Sequence, residues 1–530
     1  MLFTSYEFIG FLVIVLGVYY CIPRKWQWPF LLIASYAFYY IANPIYLIYI
    51  AVTTLSTWYL SLMIQKRKDI FADKFALLQK AMDRAQKKEA KEKEKKKQMH
   101  LMLLALLFNL GILAVVKYTN FGIANINSLF RAMGNSTKLS FVNIIVPMGI
   151  SFYTFQSMGY LIDVYRGTCK AEQNVFKFAL FVSFFPQLVQ GPISRYSDLA
   201  KTLYEPHRAE IKTLSFGLQR VLWGFFKKLV IADRILVAVN NIIGDTETYQ
   251  GGFVLVGMLF YALELYADFT GGIDITIGVA QTLGIHVTEN FKRPYFSKNI
   301  KEYWKRWHIT MGTWFTDYIF YPISVCGPMM KLGKIARNKL GNNIGKRVPV
   351  YLSSFVVWFT TGIWHGASWN FIAWGIGNFV VIMISQELEP LYRWFHGKVH
   401  VRDKWYFRAF QVVRTVLLMS CLRMFDCYRD VPLTFRMFVS MFRDFRISAM
   451  TVESFLGLGL TGADYVILIT GTLLLIVVSL IQRTGSVREK IQQKPLAVRF
   501  VVWYTLFLAV VLLGAYGIGY DASQFIYNQF

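Results

Sequence analysis

Charge is what this sequence has least of. Only 17% of its 530 residues are charged, against about 25% in an ordinary soluble protein. Uncharged stretches of about fifteen to twenty residues recur along the chain, and 55% of all residues are hydrophobic. A water-soluble core cannot hide that much apolar surface. A soluble enzyme and a disordered chain are excluded, which leaves an all-α polytopic membrane protein. Cysteine is scarce as well. The five cysteines (Cys21, Cys169, Cys326, Cys421, Cys427) contain no C-x-x-C pair, so neither a disulfide framework nor a zinc site is expected. Seven histidines are too dispersed for a metal cluster, and no permanently bound cofactor is expected. P-loop, Rossmann and G-x-S-x-G signatures are missing, so a serine nucleophile would have to be supplied from elsewhere. The first apolar run lacks a basic leader and a small-residue cleavage site, and reads as a retained membrane segment.

What charge there is has one sign. Lys and Arg total 57 and Asp and Glu total 31, a formal charge of +26. No recognition module or base-stacking platform accompanies it, so no nucleic-acid partner is expected. The basic residues cluster at the ends of apolar segments, as on the cytoplasmic side of a membrane. Residues 65–98 hold thirteen Lys/Arg and six Asp/Glu, residues 292–306 six and one, and residues 331–347 six and none. All three stretches read as cytoplasmic. Three crossings before the first put the N-terminus outside. The last crossing leaves 521–530, which has no basic residue, outside too. A basic inner face attracts anionic headgroups of the bilayer, or a polyanionic cosubstrate such as a nucleotide thioester.

Apolar runs predict about 11 to 13 membrane helices, some broken or re-entrant. FPQLVQGPI at 185–193 reads as a segment that enters without crossing. Irregular backbone survives at membrane depth only where protein or a water-filled cavity surrounds it. Five stretches follow: N-terminal membrane helices (1–64), a basic cytoplasmic helical insert (65–98), a core carrying the histidines (99–425), C-terminal membrane helices (426–520) and an extracytoplasmic tail (521–530). The insert alternates opposite charges at i,i+4, as Glu89 to Lys93, which suits a solvated helix.

Two histidines stand out. His365 lies deep in an apolar run, in GIWHGASWNF, where helical spacing puts Trp358, Thr361, His365 and Trp369 on one stripe. An ionisable group inside a membrane segment is costly and points to function. Burial favours the neutral imidazole that can accept a proton. A packing histidine bonded to a neighbouring helix is the plainer reading. His308 lies in YWKRWHITMGTWF, where Trp304, His308, Met311 and Phe315 share a helical face. It reads equally as an interfacial residue of an aromatic belt. In YALELYADFTGGIDITIG, Glu264 and Asp268 share a face, Gly271-Gly272 is expected to break the helix, and Asp274 to cap a new one. Asp268 is a candidate to orient an imidazole or bind a polar ligand. Capping explains Asp274 without function.

Together these stretches carry a resemblance. MGISFYTFQSMGYLIDVYRG (148–167), FFPQLVQGPISR (184–195), YADFTGGIDITIG (266–278), NFKRPYFSKNIKEYWKRWHITMGTWFTDYIFYP (290–322) and GIWHGASWNFIAWG (362–375) resemble the membrane-bound O-acyltransferase (MBOAT) family, most closely its bacterial polysaccharide-acetylating branch. The resemblance implies a ring of membrane helices around a thinned centre, with a funnel from each side meeting near the family's invariant histidine. That histidine falls on His365 and the family's second histidine on His308. It also implies a bacterial cell-membrane location, an acetyl-CoA donor and an extracytoplasmic SGNH-like acetyltransferase as partner. Trp304, Asp268, Trp364 and Trp369 are the substrate-binding candidates. YADFTGG departs from the aromatic-rich element of relatives. FIYNQF (525–530) resembles the C-terminal acyl-transfer motif of a small protein of the D-alanylation system, a motif that also ends some chains of this branch. The match places Tyr527 as an acyl carrier, with an interfacial aromatic tail as the plainer reading. A D-alanyl transferase is the neighbouring alternative, and a transporter or flippase the alternative from another class.

Overall fold

The computed structural model describes residues 3–78 and 80–516. The tail with Tyr527 lies outside the described residues. Within them the chain is helical and contains no β-strand. Among the described residues, six helices are long and apolar enough to cross a membrane: Tyr46–Leu78, Arg84–Ala132, Gly252–Thr282, Trp369–Glu387, Gly462–Thr484 and Leu496–Leu513. The expected 11 to 13 also counted apolar runs that fold here as shorter or broken helices, such as Tyr6–Cys21 and 174–191, which splits into Val175–Ser183 and Phe185–Leu188.

Two compact units make up the chain. The first comprises residues 1–214 and 280–288. Its basic insert is not a separate helix. Tyr46–Leu78 and Arg84–Ala132 carry their apolar halves straight on into it as a helical hairpin. Asp83 starts the second arm with a capping box: its side chain accepts the Gln86 N–H at 2.8 Å, and the Gln86 side chain accepts the Asp83 N–H at 3.0 Å. Arg67 and Glu94 tie the arms with a two-pronged pair at 2.9 and 3.0 Å. The FPQLVQGPI stretch is buried throughout and forms only one short turn, Phe185–Leu188. The Gln187 amide serves the irregular backbone around it, donating to the Pro192 carbonyl at 3.0 Å and the Ser194 hydroxyl at 2.6 Å. That is how protein contacts satisfy a non-helical segment away from water.

The second unit comprises residues 215–279 and 289–530. Phe226, Leu229, Ile231 and Ile235 pack there with Leu458, Leu468, Leu475 and Val510 as an apolar core. The Gly252–Thr282 helix runs through Gly271-Gly272 without the expected break. The reason is packing. A Cβ on Gly271 would sit 3.0 Å from the Gly224 carbonyl oxygen, so the glycines bring two helix backbones together. Asp274 is accordingly not a cap. It takes Arg220 at 2.8 Å and Lys227 at 2.6 Å. Residues Phe226–Ala232 widen into a π-helix. Two neighbouring lysines of this stretch reach different carboxylates of the same helix: Lys227 meets Asp274, and Lys228 meets Asp268 at 2.7 Å. Lys228 also holds Asp233 at 2.7 Å.

Candidate active site

His365 is the last residue of the Val348–His365 helix, and Trp369 begins the next, Trp369–Glu387. The predicted stripe therefore ends at His365. Gly366 is extended, and its α-carbon lies against the Phe371 ring, where a Cβ would come within 2.2 Å. The two helices then return side by side. A Cβ on Gly362 would meet the Phe371 carbonyl oxygen at 2.6 Å, and one on Gly375 the Trp358 carbonyl oxygen at 2.4 Å. Such close approach is the usual reason for small residues between membrane helices. It brings Trp374 edge-on to His365, with ring centroids 4.6 Å apart. Trp364 lies 5.0 Å from His365 on another side. Trp369, the first residue of the second helix, is 59% exposed.

His308 is fully buried. The continuous amphipathic helix expected over 303–315 does not form. Ile300–Trp304 and Ile309–Phe315 are separate, and His308 sits between them with φ 47°, a left-handed conformation that costs a non-glycine residue about 1–2 kcal/mol. The shared face of Trp304, His308, Met311 and Phe315 is lost with it. Asn290 holds the break. Its Oδ1 accepts the Thr310 N–H at 3.1 Å and the Thr310 hydroxyl at 2.9 Å, and lies 3.2 Å from His308 Nδ1. Trp364 stands between the histidines, 6.0 Å from His308 and 5.0 Å from His365. Burial, and then the positive charge of Arg423, push the His308 pKa down to about 3, so this imidazole is neutral at physiological pH.

Beside these rings lies a cavity of about 1110 Å³. Its wall includes Trp304, Met311, Phe315, Trp358 and Thr361, and its cations are Lys298, Lys301, Lys305 and Arg414. Thr361 is one helical turn before His365, and Trp304 touches Trp374 at 5.8 Å. The cavity thus reaches to within one ring of His365, which is itself not on the wall. Of the sequence candidates, the fold gathers His365, His308, Trp304 and Trp364. Asp268 is committed to Lys228.

Sequence reasoning passed over Asn290 and Arg423. Arg423 is buried, paired with Asp426 at 2.6 Å, and its guanidinium lies over Trp374 (4.7 Å), Trp307 (5.5 Å) and Trp304 (5.9 Å). Three indole faces around one cation hold the wall between cavity and His365 in place. An arginine and an aspartate three apart at the end of the 409–425 apolar run was a visible signal. Asn290 had none, because its partners become neighbours only when the 303–315 helix breaks.

A family model described as "MBOAT, membrane-bound O-acyltransferase family" matches residues 172–427, which contain both histidines. The chain is 33% identical over 390 residues to the probable alginate O-acetylase AlgI of Pseudomonas syringae pv. tomato, covering 73% of this chain and 67% of that protein. It is 29% identical to the peptidoglycan O-acetyltransferase of Helicobacter pylori over 56% of this chain and 57% of that one. A teichoic acid D-alanyltransferase of Bacillus subtilis is also 29% identical, over 48% of this chain and 62% of its own length. With its spanning helices and these relatives, the chain belongs to the membrane-bound O-acyltransferase family and is a multi-pass membrane O-acyltransferase.

Proposed function

We propose that this enzyme moves an acetyl group from cytoplasmic acetyl-CoA across the bacterial cell membrane to an extracytoplasmic acceptor, for O-acetylation of a polysaccharide. The observation that carries the reading is the cavity, lined by four cations against the two carboxylates of Asp317 and Glu389, that ends one ring short of His365. CoA is a polyanion and each charge costs roughly 3 kcal/mol or more in hydrocarbon. The acetyl group is small and uncharged. Lys298, Lys301, Lys305 and Arg414 suit the nucleotide, and the aromatic wall suits the acyl-bearing arm. His365 takes the proton of the acceptor hydroxyl as its oxygen bonds to the thioester carbonyl carbon. The carbon–sulfur bond breaks, and the proton passes to the departing thiolate. His308 positions the donor or polarises its carbonyl.

The acceptor hydroxyl is Tyr527, or a serine of an SGNH-like partner that passes acetyl on to sugar. Both termini face outward in this reading. The identity to an alginate O-acetylase and a peptidoglycan O-acetyltransferase favours acetyl as the acyl group. The similarity to a teichoic acid D-alanyltransferase keeps D-alanyl transfer as the second reading.

The test is release of free CoA thiol with transfer of radiolabelled acetyl by the purified protein in vesicles. Acetyl transfer with thiol release is expected. Movement of a solute without thioester consumption would indicate a transporter, and use of a D-alanyl carrier thioester alone the second reading. Tyr527→Phe keeps the ring and removes only the hydroxyl; full activity from it would leave the tail a membrane anchor.

A further inference from the structure

The three contacts of Asn290 Oδ1 fix more than backbone. A backbone N–H can only donate, so the side-chain amide atom that meets the Thr310 N–H is the oxygen. The Thr310 hydroxyl reaches the same atom. The main chain clamps the residue as well: the Ile309 N–H donates to the Asn290 carbonyl at 2.9 Å, and the Lys292 N–H to the Arg306 carbonyl at 2.9 Å. An amide oxygen accepts and never donates. His308 Nδ1, 3.2 Å from it, must therefore carry a proton. A neutral imidazole has only one N–H, so its lone pair is on Nε2. Burial beside the Arg423 charge keeps the ring neutral.

We propose that Asn290 is the positioning residue that sets His308 in the Nδ1–H tautomer, so that His308 enters acyl transfer as a hydrogen-bond acceptor through Nε2 and not as the donor that polarises the thioester carbonyl. This rests on the acyl-transfer reading and, of the two roles left to His308, removes the polarising one and leaves it to position the donor. As the hydroxyl oxygen bonds to the carbonyl carbon and the carbon–sulfur bond breaks, one proton travels from hydroxyl to thiolate. His365 carries that proton; a His308 ring with its lone pair at Nε2 can accept a hydrogen bond from the bound donor and has no proton there to lend to the carbonyl oxygen.

The experiment is nitrogen-15 NMR of the full chain in lipid nanodiscs, with labelled histidine. There are seven histidines, and His308→Gln identifies the signals of this one. Protonated Nδ1 and bare Nε2 are expected in the wild type. Asn290→Leu keeps the bulk and removes the acceptor. It should lose the tautomer preference and lower kcat for acetyl transfer about 100-fold, with the loss in kcat rather than KM. Asn290→Asp restores an acceptor and should recover the Nδ1–H signature and about tenfold of the lost rate. A wild-type signature of protonated Nε2 overturns the proposal. So does an Asn290→Leu protein that loses the Nδ1–H signature yet keeps its full kcat. If the leucine variant does not fold, the wild-type and aspartate spectra decide. A wild type with the expected tautomer that consumes no acyl thioester overturns the acyl-transfer reading instead, and the tautomer assignment survives.

Discussion

The basic hairpin of the first unit and the interior of the second use charge in opposite ways. In the hairpin, charges are many and, the Arg67–Glu94 pair apart, exposed and loosely placed: Lys88 and Glu92 are 3.9 Å apart with most of each side chain in solvent. In the interior they are few and buried, and contacts are short. Lys228 holds Asp233 and Asp268 at 2.7 Å each, and Arg423 holds Asp426 at 2.6 Å among three tryptophans. Exposed charges of this kind are screened by water and salt, so no single one of them matters much. The interior works by individual pairs, because a buried charge left alone cannot be screened by water.

Breaking one interior pair is the strongest test of that contrast. Lys228→Met leaves Asp233 and Asp268 buried without their cation and should destabilise the protein by about 3–5 kcal/mol, read as a loss of thermal stability in detergent. A stability unchanged within error would erase the distinction between the regions. A packing change near the site should weigh less. Gly375→Val places a side chain against the Trp358 carbonyl, where its Cβ alone would lie at 2.4 Å. Prising apart two helices should cost about 1–3 kcal/mol and lower acetyl transfer by moving Trp374 away from His365. Wild-type stability together with wild-type turnover would mean that the close approach is unimportant. The smallest effect belongs to the hairpin: Lys88→Ala should change stability by no more than about 0.5 kcal/mol.

The same contrast explains what could be read from the sequence. Charge runs and apolar runs are contiguous, so the membrane class, the helical insert and the isolation of His365 and His308 were legible. The MBOAT resemblance rested on contiguous stretches too. What periodicity could not show were interruptions made by distant partners. His308 breaks its helix because Asn290, eighteen residues earlier, captures Thr310. The Gly271-Gly272 pair looked like a break and is a packing seam against Gly224. Asp274 looked like a cap and answers Arg220 and Lys227, 54 and 47 residues away. Helical spacing across Gly366 put Trp369 on the histidine's stripe, although the chain turns there and Trp374 takes that place.

The most direct measurement is acetyl transfer by His365→Ala in vesicles, beside a check that the variant inserts and melts like the wild type. Loss of a general base should lower the rate by roughly 10²–10⁴-fold while the fold is retained. A correctly inserted His365→Ala protein that transfers acetyl at the wild-type rate would contradict the account.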